Sequence, residues 1–390
     1  MQKQKVCIIG AGLTGLITAI SLSKLNIKID LISKDLESNL KNSGTVAISS
    51  SNYEFLKTLG IFENTKNIFW PCSAMKLYTE NEKNNLQKIF EFKNIKKNIL
   101  YMTTNKKIMQ KTIANIKKNN LISFISKKTI SKIISTDNLS TVLFNNGETS
   151  KYNLIIMCTG SGSNLIENYF NEKVFKRSYD EIAATTIISH NLNENNVAKQ
   201  FFLNEEILAF LPISKTETSI VCSTKQSKLK NYQFKNNLFF KKKIKLYAKS
   251  YLRDVKFLND INYINLNMLI RKEHFKDRVL LFGDALHTVH PLAGQGFNMI
   301  LRDLQSLKKS LKSKIDIGLD IGSSDILTEY TNQIKPRNLI YCLGIDSIKN
   351  LFAKDHQTLK SLRNFLISKL NNNNFVKKYL YNIADRGFEF

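Results

Sequence analysis

Near the start of the chain, Gly10-Ala11-Gly12-Leu13-Thr14-Gly15 sets three glycines at a spacing that lets a backbone meet a diphosphate. The first allows a tight turn, the second lets the main chain approach the phosphates, and the third lets a helix pack on a strand. The amides and positive dipole end of that helix then face the anion. The acid that usually ends the second strand of such a unit is absent. Ser33 stands there, so a ribose contact is weaker or comes from Asp35. A second stretch runs Val279-Leu280-Leu281-Phe282-Gly283-Asp284-Ala285-Leu286-His287-Thr288-Val289-His290-Pro291-Leu292-Ala293-Gly294-Gln295-Gly296-Phe297-Asn298, then Leu301-Arg302-Asp303. A strand ending at Gly283 puts Asp284 at the carboxyl edge of the sheet, where open α/β sheets bind ligands and where it can accept hydroxyls of a polyol chain. Gly294 and Gly296 let backbone approach a flat ring, and a helix starting there aims its first amides the same way.

Other groups are less specific. His287 and His290 form an HxxH pair with no third ligand cluster nearby, whereas a metal site needs three or four ligands; the pair lines an active site or packs. Five cysteines, Cys7, Cys72, Cys158, Cys222 and Cys342, form no CxxC pair and are odd in number. Neither a zinc ribbon nor a disulfide framework is implied, and a reducing cytosol fits. Cys158 ends an apolar run and reads as a small hydrophobe.

These residues need a frame. Residues 6–9 read as a buried parallel strand, 13–25 as a helix and 27–32 as the next strand, a βαβ opening. A helix is expected over 49–60, strand-like runs within 75–102 and a helix over 106–118. Short β runs follow over 121–143 with a turn at Asn145-Asn146-Gly147, then a buried strand over 152–157. Residues 179–224 look like a separate antiparallel sheet. After it come a helix over 238–252, a strand over 278–282, a helix over 295–311 and a Lys-rich helical remainder from about 325. Strand-and-turn elements of the dinucleotide type therefore lie at both ends of a β-rich insert, which predicts a domain discontinuous in sequence.

At 390 residues, with 43% apolar and 10% aromatic content, the chain can bury a large core, so disordered and fibrous classes are excluded. The 58 basic residues against 32 acidic give +26, but only eight are Arg, the first being Arg177. Spread-out Lys is not the concentrated Arg-bearing patch that reads bases, so no nucleic-acid partner is expected. The opening MQKQK and the apolar run to Ile20 imitate a signal peptide, yet three patterned glycines interrupt that run and mark it as structure. No segment reaches the ~18 apolar residues of a membrane span.

The stretch from Gly283 to Asn298 resembles, nearly residue for residue, the second flavin motif of the flavin-dependent aromatic hydroxylases, and within them of the ubiquinone-biosynthesis hydroxylases. The likeness runs through most of the chain. Thr45-Val46-Ala47-Ile48-Ser49 and Leu59-Gly60-Ile61-Phe62 match that family's early helix, and Leu100-Tyr101-Met102 with Asn105-Lys106 match the segment entering its flavin-binding helix. Ala209-Phe210-Leu211-Pro212-Ile213 resembles its substrate-domain strand and Leu362-Arg363-Asn364 its C-terminal helix. Gly44 and Lys106 stand where the family has Arg, and Cys158-Thr159-Gly160 where it has an Asp-Gly pair serving flavin and nicotinamide.

The resemblance implies an α/β protein with the p-hydroxybenzoate hydroxylase-like fold: a discontinuous Rossmann-like FAD-binding domain, an inserted antiparallel-sheet substrate domain and C-terminal helices. Residues 1–75, 100–175 and 270–320 would form the first, 76–99 and 176–269 the second and 321–390 the third. It implies FAD held by Gly10, Gly12, Gly15, Ser33, Lys106, Gly283, Asp284, Gly296, Phe297 and Asn298, with His290, Pro291, Gly294, Gln295 and Gly296 in the loop at the flavin ring. Reduced FAD would react with O2 to give a C4a-hydroperoxide that passes hydroxyl to an electron-rich carbon of a polyprenylated phenol. No nucleophilic side chain is then required, in keeping with the lack of any triad signature. NAD(P)H is the implied electron donor, and the uncharged Thr159 predicts weakened affinity for it. Two other readings stay open, a reductase or dehydrogenase of an isoprenoid lipid and a flavin-bearing, non-catalytic subunit of a quinone-biosynthesis complex. A prenylated phenol stays in the bilayer, each buried CH2 being worth about 0.8 kcal/mol. The expected location is therefore cytoplasmic, held peripherally at the inner face of the cell membrane, with partners in a quinone-biosynthesis complex. The Lys-rich helices after Ser361 are either a core-packed cap or a membrane-docking element.

Overall fold

Four short apolar strands, buried on both faces, and a more exposed fifth at the edge make the parallel core of one sheet, as helices packed on either side require. The computed structural model describes residues 4–34, 40, 44–62, 68–81, 85–94, 97–171, 174–353, 363–364, 367, 369–371 and 373–387, with the backbone alone for 229–236 and 293. The chain opens with β1 (Lys5–Ile9), α1 (Leu13–Ser23) and β2 (Lys28–Ser33), then β3 (Thr45–Ser49), α2 (Ser50–Thr58) and β4 (Trp70–Cys72). Next come β5 (Ala74–Glu80), β6 (Leu86–Lys93), β7 (Leu100–Thr104), α3 (Asn105–Ile116) and β8 (Ile122–Ser126). A small meander of β9 (Ile130–Ser135), β10 (Ser140–Phe144) and β11 (Thr149–Tyr152) leads into β12 (Leu154–Met157) and α4 (Asn164–Phe170). The long β13 (Phe175–Ser189) is followed by β14 (Val197–Leu203), β15 (Glu206–Pro212), β16 (Glu217–Lys225), α5 (Leu229–Ala248), β17 (Lys256–Phe257) and β18 (Asn262–Ile270). Last are β19 (Phe275–Lys276), β20 (Val279–Leu281), β21 (His287–Thr288) and the helices α6 (Gln295–Asp316), α7 (Ser324–Ala353) and α8 (Asn374–Arg386).

The first sheet has the order β19-β20-β12-β1-β2-β8, parallel except for β19. Its side chains and those of α1, α6 and the start of α7 form the main core. The second, nine-stranded sheet runs β21-β18-β13-β16-β15-β14-β5-β6, with β17 added on β13. Its strands show the period-two alternation of a sheet covered on both faces. Ala184, Phe201 and Ile220 pack with Phe240 and Ile244 of α5, whereas Ala183 and Phe202 face Tyr341, Cys342 and Ile345 of α7. A three-stranded sheet, β3-β7-β4, lies beside the start of α6.

Three expectations change. Residues 45–49 form a strand rather than part of a helix, because β-branched Thr45, Val46 and Ile48 pair antiparallel with β7 and the helix starts only at Ser50. The strand expected over 152–157 divides at Asn153: Tyr152 ends the antiparallel β11, its hydroxyl donating to Asp30 at 2.8 Å, and only Leu154–Met157 enters the parallel sheet. The sheet expected over 179–224 is not wholly antiparallel, since its strand β14 pairs parallel with β5, Ala74 opposite Val197. Asp35, Asp355, Ser361, Leu362, Phe365 and Leu366 lie outside the described residues.

Candidate active site

Three loops meet at the carboxyl ends of three neighbouring parallel strands, β1, β12 and β20. This is the crevice where strand order reverses, with β2 on one side of β1 and β12 on the other. Gly10 takes φ +106°, and a Cβ there would lie 2.5 Å from the Cys158 carbonyl oxygen. A Cβ on Gly15 would come within 1.9 Å of the Gly10 oxygen, and one on Gly283, at φ +67°, within 2.7 Å of the Thr14 side chain. The first and second motifs and the 158–163 loop thus interlock, each using space that a side chain on another would fill. Gly12 differs. It precedes α1 in extended backbone, and a Cβ there would meet no heavy atom within 4 Å. No side chain caps α1, so its first amides face that open space.

Around this cradle, Thr159 holds a buried hydroxyl with no protein partner. Asp284 sits in the 3-10 turn Gly283–Ala285, exposed to solvent yet with enough protein around it that desolvation raises its carboxyl above the usual range, His287 opposing. Ser33, half-buried, ends β2 on the far side of β1. Lys106 is exposed in the first turn of α3, and the amide of Asn105 beside it donates to the Gly44 carbonyl at 2.8 Å, so the two positions at which the family resemblance led us to expect Arg adjoin.

The ring-facing loop is fixed by β3. Gly294, at φ +66°, has its Cβ direction filled by Ala47, 2.7 Å away. Asn298 is fully buried, and its side chain donates to the Ala47 carbonyl at 2.8 Å and accepts from the Ser49 amide at 2.8 Å and Asn52 Nδ2 at 3.0 Å. That side chain is committed to protein, so Asn298 shapes the site by pinning α6 to β3 and α2. Gly296 has only Val289 near its Cβ direction, at 3.8 Å, Phe297 packs against the main core, and Pro291 is exposed. Gln295 accepts from the Tyr341 hydroxyl. The two histidines go separate ways. His287 meets Asp303 at 3.2 Å, while His290, 1% exposed, meets Glu181 of β13 at 3.2 Å. Lys349 of α7 reaches the same Glu181 at 2.7 Å. Burial presses the Glu181 carboxyl upward, but His290 and Lys349 more than offset it and hold it below its ordinary value.

Beside this loop a cavity of about 330 Å³ opens between the nine-stranded sheet, α7 and α8. Leu292 and Gln295 of the loop form one end, Met75, Leu77 and Phe202 the sheet wall, Gly344, Ile345 and Ile348 the α7 wall, and Leu380, Tyr381 and Ile383 the α8 wall. Buried Gln200, whose Oε1 has no protein partner, is one of the few polar residues on a largely apolar lining.

A family described as FAD binding domain matches residues 3–338. The chain belongs to this family. The flavoprotein is 22% identical to the ubiquinone biosynthesis monooxygenase COQ6, mitochondrial, of Dictyostelium discoideum, over 97% of this chain and 90% of that one. It is likewise 22% identical to the ubiquinone hydroxylase UbiM of Neisseria meningitidis, over 96% of this chain and 83% of the other. PqsL of Pseudomonas aeruginosa, in complex with 2-aminobenzoylacetate, shares the fold with a TM-score of 0.78 at 15% identity, covering 92% of this chain and 99% of that chain. HpxO of Klebsiella pneumoniae, complexed with FAD and uric acid, superposes with a TM-score of 0.75 at 15% identity over 98% of this chain and 96% of the other. This flavoprotein is an FAD-dependent monooxygenase with an α/β fold.

The residues present fit FAD. The open side of Gly12 and the uncapped amides of α1 suit its diphosphate, exposed Asp284 suits its ribityl hydroxyls, and the orphaned Thr159 hydroxyl lies at the junction of the three loops. Motif reading missed Ala47, Gln200 and Tyr341 in this flavoprotein. Their identities are ordinary for strands and helices, and only the fold brings them to the loop.

Proposed function

We propose that the chain hydroxylates the aromatic ring of a polyprenylated phenol in ubiquinone biosynthesis. The observation that carries this is the cavity: its largely apolar wall begins at the flavin-facing loop and suits a hydrocarbon-bearing ring, while Gln200 offers one acceptor for a ring hydroxyl. Bound and reduced, FAD supplies the activation of O2. The chain's own part is to orient and to keep dry. Leu292 and Gln295 bring the ring-facing loop to one end of the cavity, and α7 and α8 cover it against water. NAD(P)H serves as the electron donor in this reading, held weakly because Thr159 contributes no charge.

Peripheral contact with the inner face of the cell membrane belongs to the same proposal. On α7, Leu339, Ile340, Leu343, Ile348 and Leu351 are exposed, and Phe375 on α8 is 79% exposed. Ile348 also lines the cavity, so the exposed apolar face of α7 continues into the cavity wall. A charge of +26 complements an anionic leaflet. Among the described residues no helix is long and apolar enough to cross a membrane.

The test is incubation of FAD-loaded protein, a reductant and a prenylated phenol under 18O2, followed by mass spectrometry. One labelled oxygen in a new ring hydroxyl is expected. A product altered only by two hydrogens would transfer the chain to the reductases, and no turnover with retained FAD would make it a non-catalytic subunit.

A further inference from the structure

On the other side of Tyr341 from the apolar cavity lies a polar cleft of about 180 Å³. Arg302 and Ser306 of α6, Arg337 of α7 and Arg386 at the end of α8 line it, so three of the chain's eight arginines converge there. Among the described residues none of the three has a carboxylate within ion-pair distance. The one carboxylate on the lining, Asp303, is already engaged by His287 at 3.2 Å and by Asn338 at 2.7 Å. Arg302 Nη1 is buried without a hydrogen-bond partner, and its guanidinium lies 4.4 Å over the Tyr341 ring.

Three guanidinium groups lining one small cleft repel each other, a cost that an anion seated between them reverses. Each offers a planar fork of donors that matches phosphate oxygens two at a time. We propose that this cleft binds a phosphate-class anion, a phosphate or diphosphate group, and that its occupancy fastens α8 over the apolar cavity. The helix contributes to both places: Leu380, Tyr381 and Ile383 line the cavity, and Arg386 and Gly387 line the cleft. An anion joining Arg386 to Arg302 and Arg337 ties the end of α8 to α6 and α7. Binding in the cleft and binding in the cavity then favour one another equally. The anion site stands independently of the hydroxylation reading; only its consequence for substrate rests on that reading.

The experiment is calorimetric titration of the FAD-loaded full chain with inorganic pyrophosphate, at ionic strength held constant with sodium chloride. Saturable binding at one site is expected. Arg302→Gln and Arg337→Gln should each weaken it by roughly tenfold or more with FAD content unchanged. Lys242→Gln, which removes the same charge from an exposed position on α5, should not. Pyrophosphate should also slow hydrogen exchange of the amides over 380–386 in the parent protein and fail to do so in Arg337→Gln. Vesicles containing phosphatidate distinguish the sources: competition with pyrophosphate identifies a lipid headgroup as the occupant, and lack of competition a free phosphate compound. Absence of saturable binding, or equal weakening by Lys242→Gln, overturns the site. Binding without any change in exchange over 380–386 overturns the fastening of α8.

Discussion

Gly12 and Gly15, three residues apart, should respond to a side chain in opposite ways. A Cβ at Gly15 collides with the Gly10 carbonyl at 1.9 Å, so Gly15→Ala should damage folding itself. At Gly12 nothing lies within 4 Å, and the backbone is extended, so Gly12→Val should leave thermal stability of the apoprotein within about 0.5 kcal/mol while abolishing retained flavin. Absorbance of the purified variants checks this; a yellow Gly12→Val protein would refute the cradle. Asp284→Ala removes a charged acceptor and should weaken FAD roughly 10- to 100-fold, at about 1.5–3 kcal/mol for a hydrogen bond to a charged group. Lys199 gives a test of a different kind. Burial, with Lys76 adding to it, lowers its ammonium from 10.5 to about 8. From about pH 8 to 10.5 the unfolded chain therefore holds a proton that the folded one has released, and stability rises with pH across that window. Lys199→Met should raise Tm by roughly 2–4 °C at pH 7, the gain shrinking between pH 8 and 10.5. A gain that grew with pH would contradict the burial. At this scale the glycines and Asp284 were legible in sequence because their types are dictated locally. Gln200 was not, because a lone amide in a strand acquires meaning only from the cavity it faces.

Among the elements, α8 is held at its last turn. The Ser51 amide donates to the Asp385 carboxylate at 2.8 Å, and the Ser49 and Ser51 hydroxyls donate to the Asp385 carbonyl at 2.9 and 2.6 Å. Asp385→Ala should cost about 1–2 kcal/mol locally and loosen the helix without unfolding the rest. Faster hydrogen exchange confined to 374–386, with flavin content unchanged, is the expected result. Exchange unchanged in α8 would show that apolar contacts alone hold it. The βαβ opening and α6 were readable because period and punctuation agree over short range. The strand β3 was not, since the β-branched residues of Thr45–Ser49 run without a break into the helix that follows, and its pairing partner β7 lies some fifty residues on. The parallel pairing of β5 with β14 escaped for the same reason: register across so long a separation is set by tertiary packing.

For the whole molecule, the surplus of 58 basic over 32 acidic residues predicts a strongly salt-dependent attachment to anionic surfaces. The full chain should sediment with anionic liposomes at low salt and be released at high salt, and failure to sediment at low salt would favour delivery of substrate by a partner protein. The order of strands also has a consequence in time. Strand β1 lies inside its sheet, yet its neighbour β12 is separated from it by well over a hundred residues, and β20, which carries Gly283 and Asp284 behind it, comes more than a hundred later still. At roughly 5–20 residues synthesised per second, tens of seconds pass between the emergence of Gly10 and that of Asp284. Until β12 emerges, about midway through that interval, one edge of β1 is unpaired and sticky, and from then until β20 emerges the open edge is that of β12, with one wall of the crevice still missing. Translation cut short before residue 279 therefore leaves out β20 and the Gly283–Asp284 turn, one wall of the crevice, and the resulting polypeptide should retain no flavin however much is supplied.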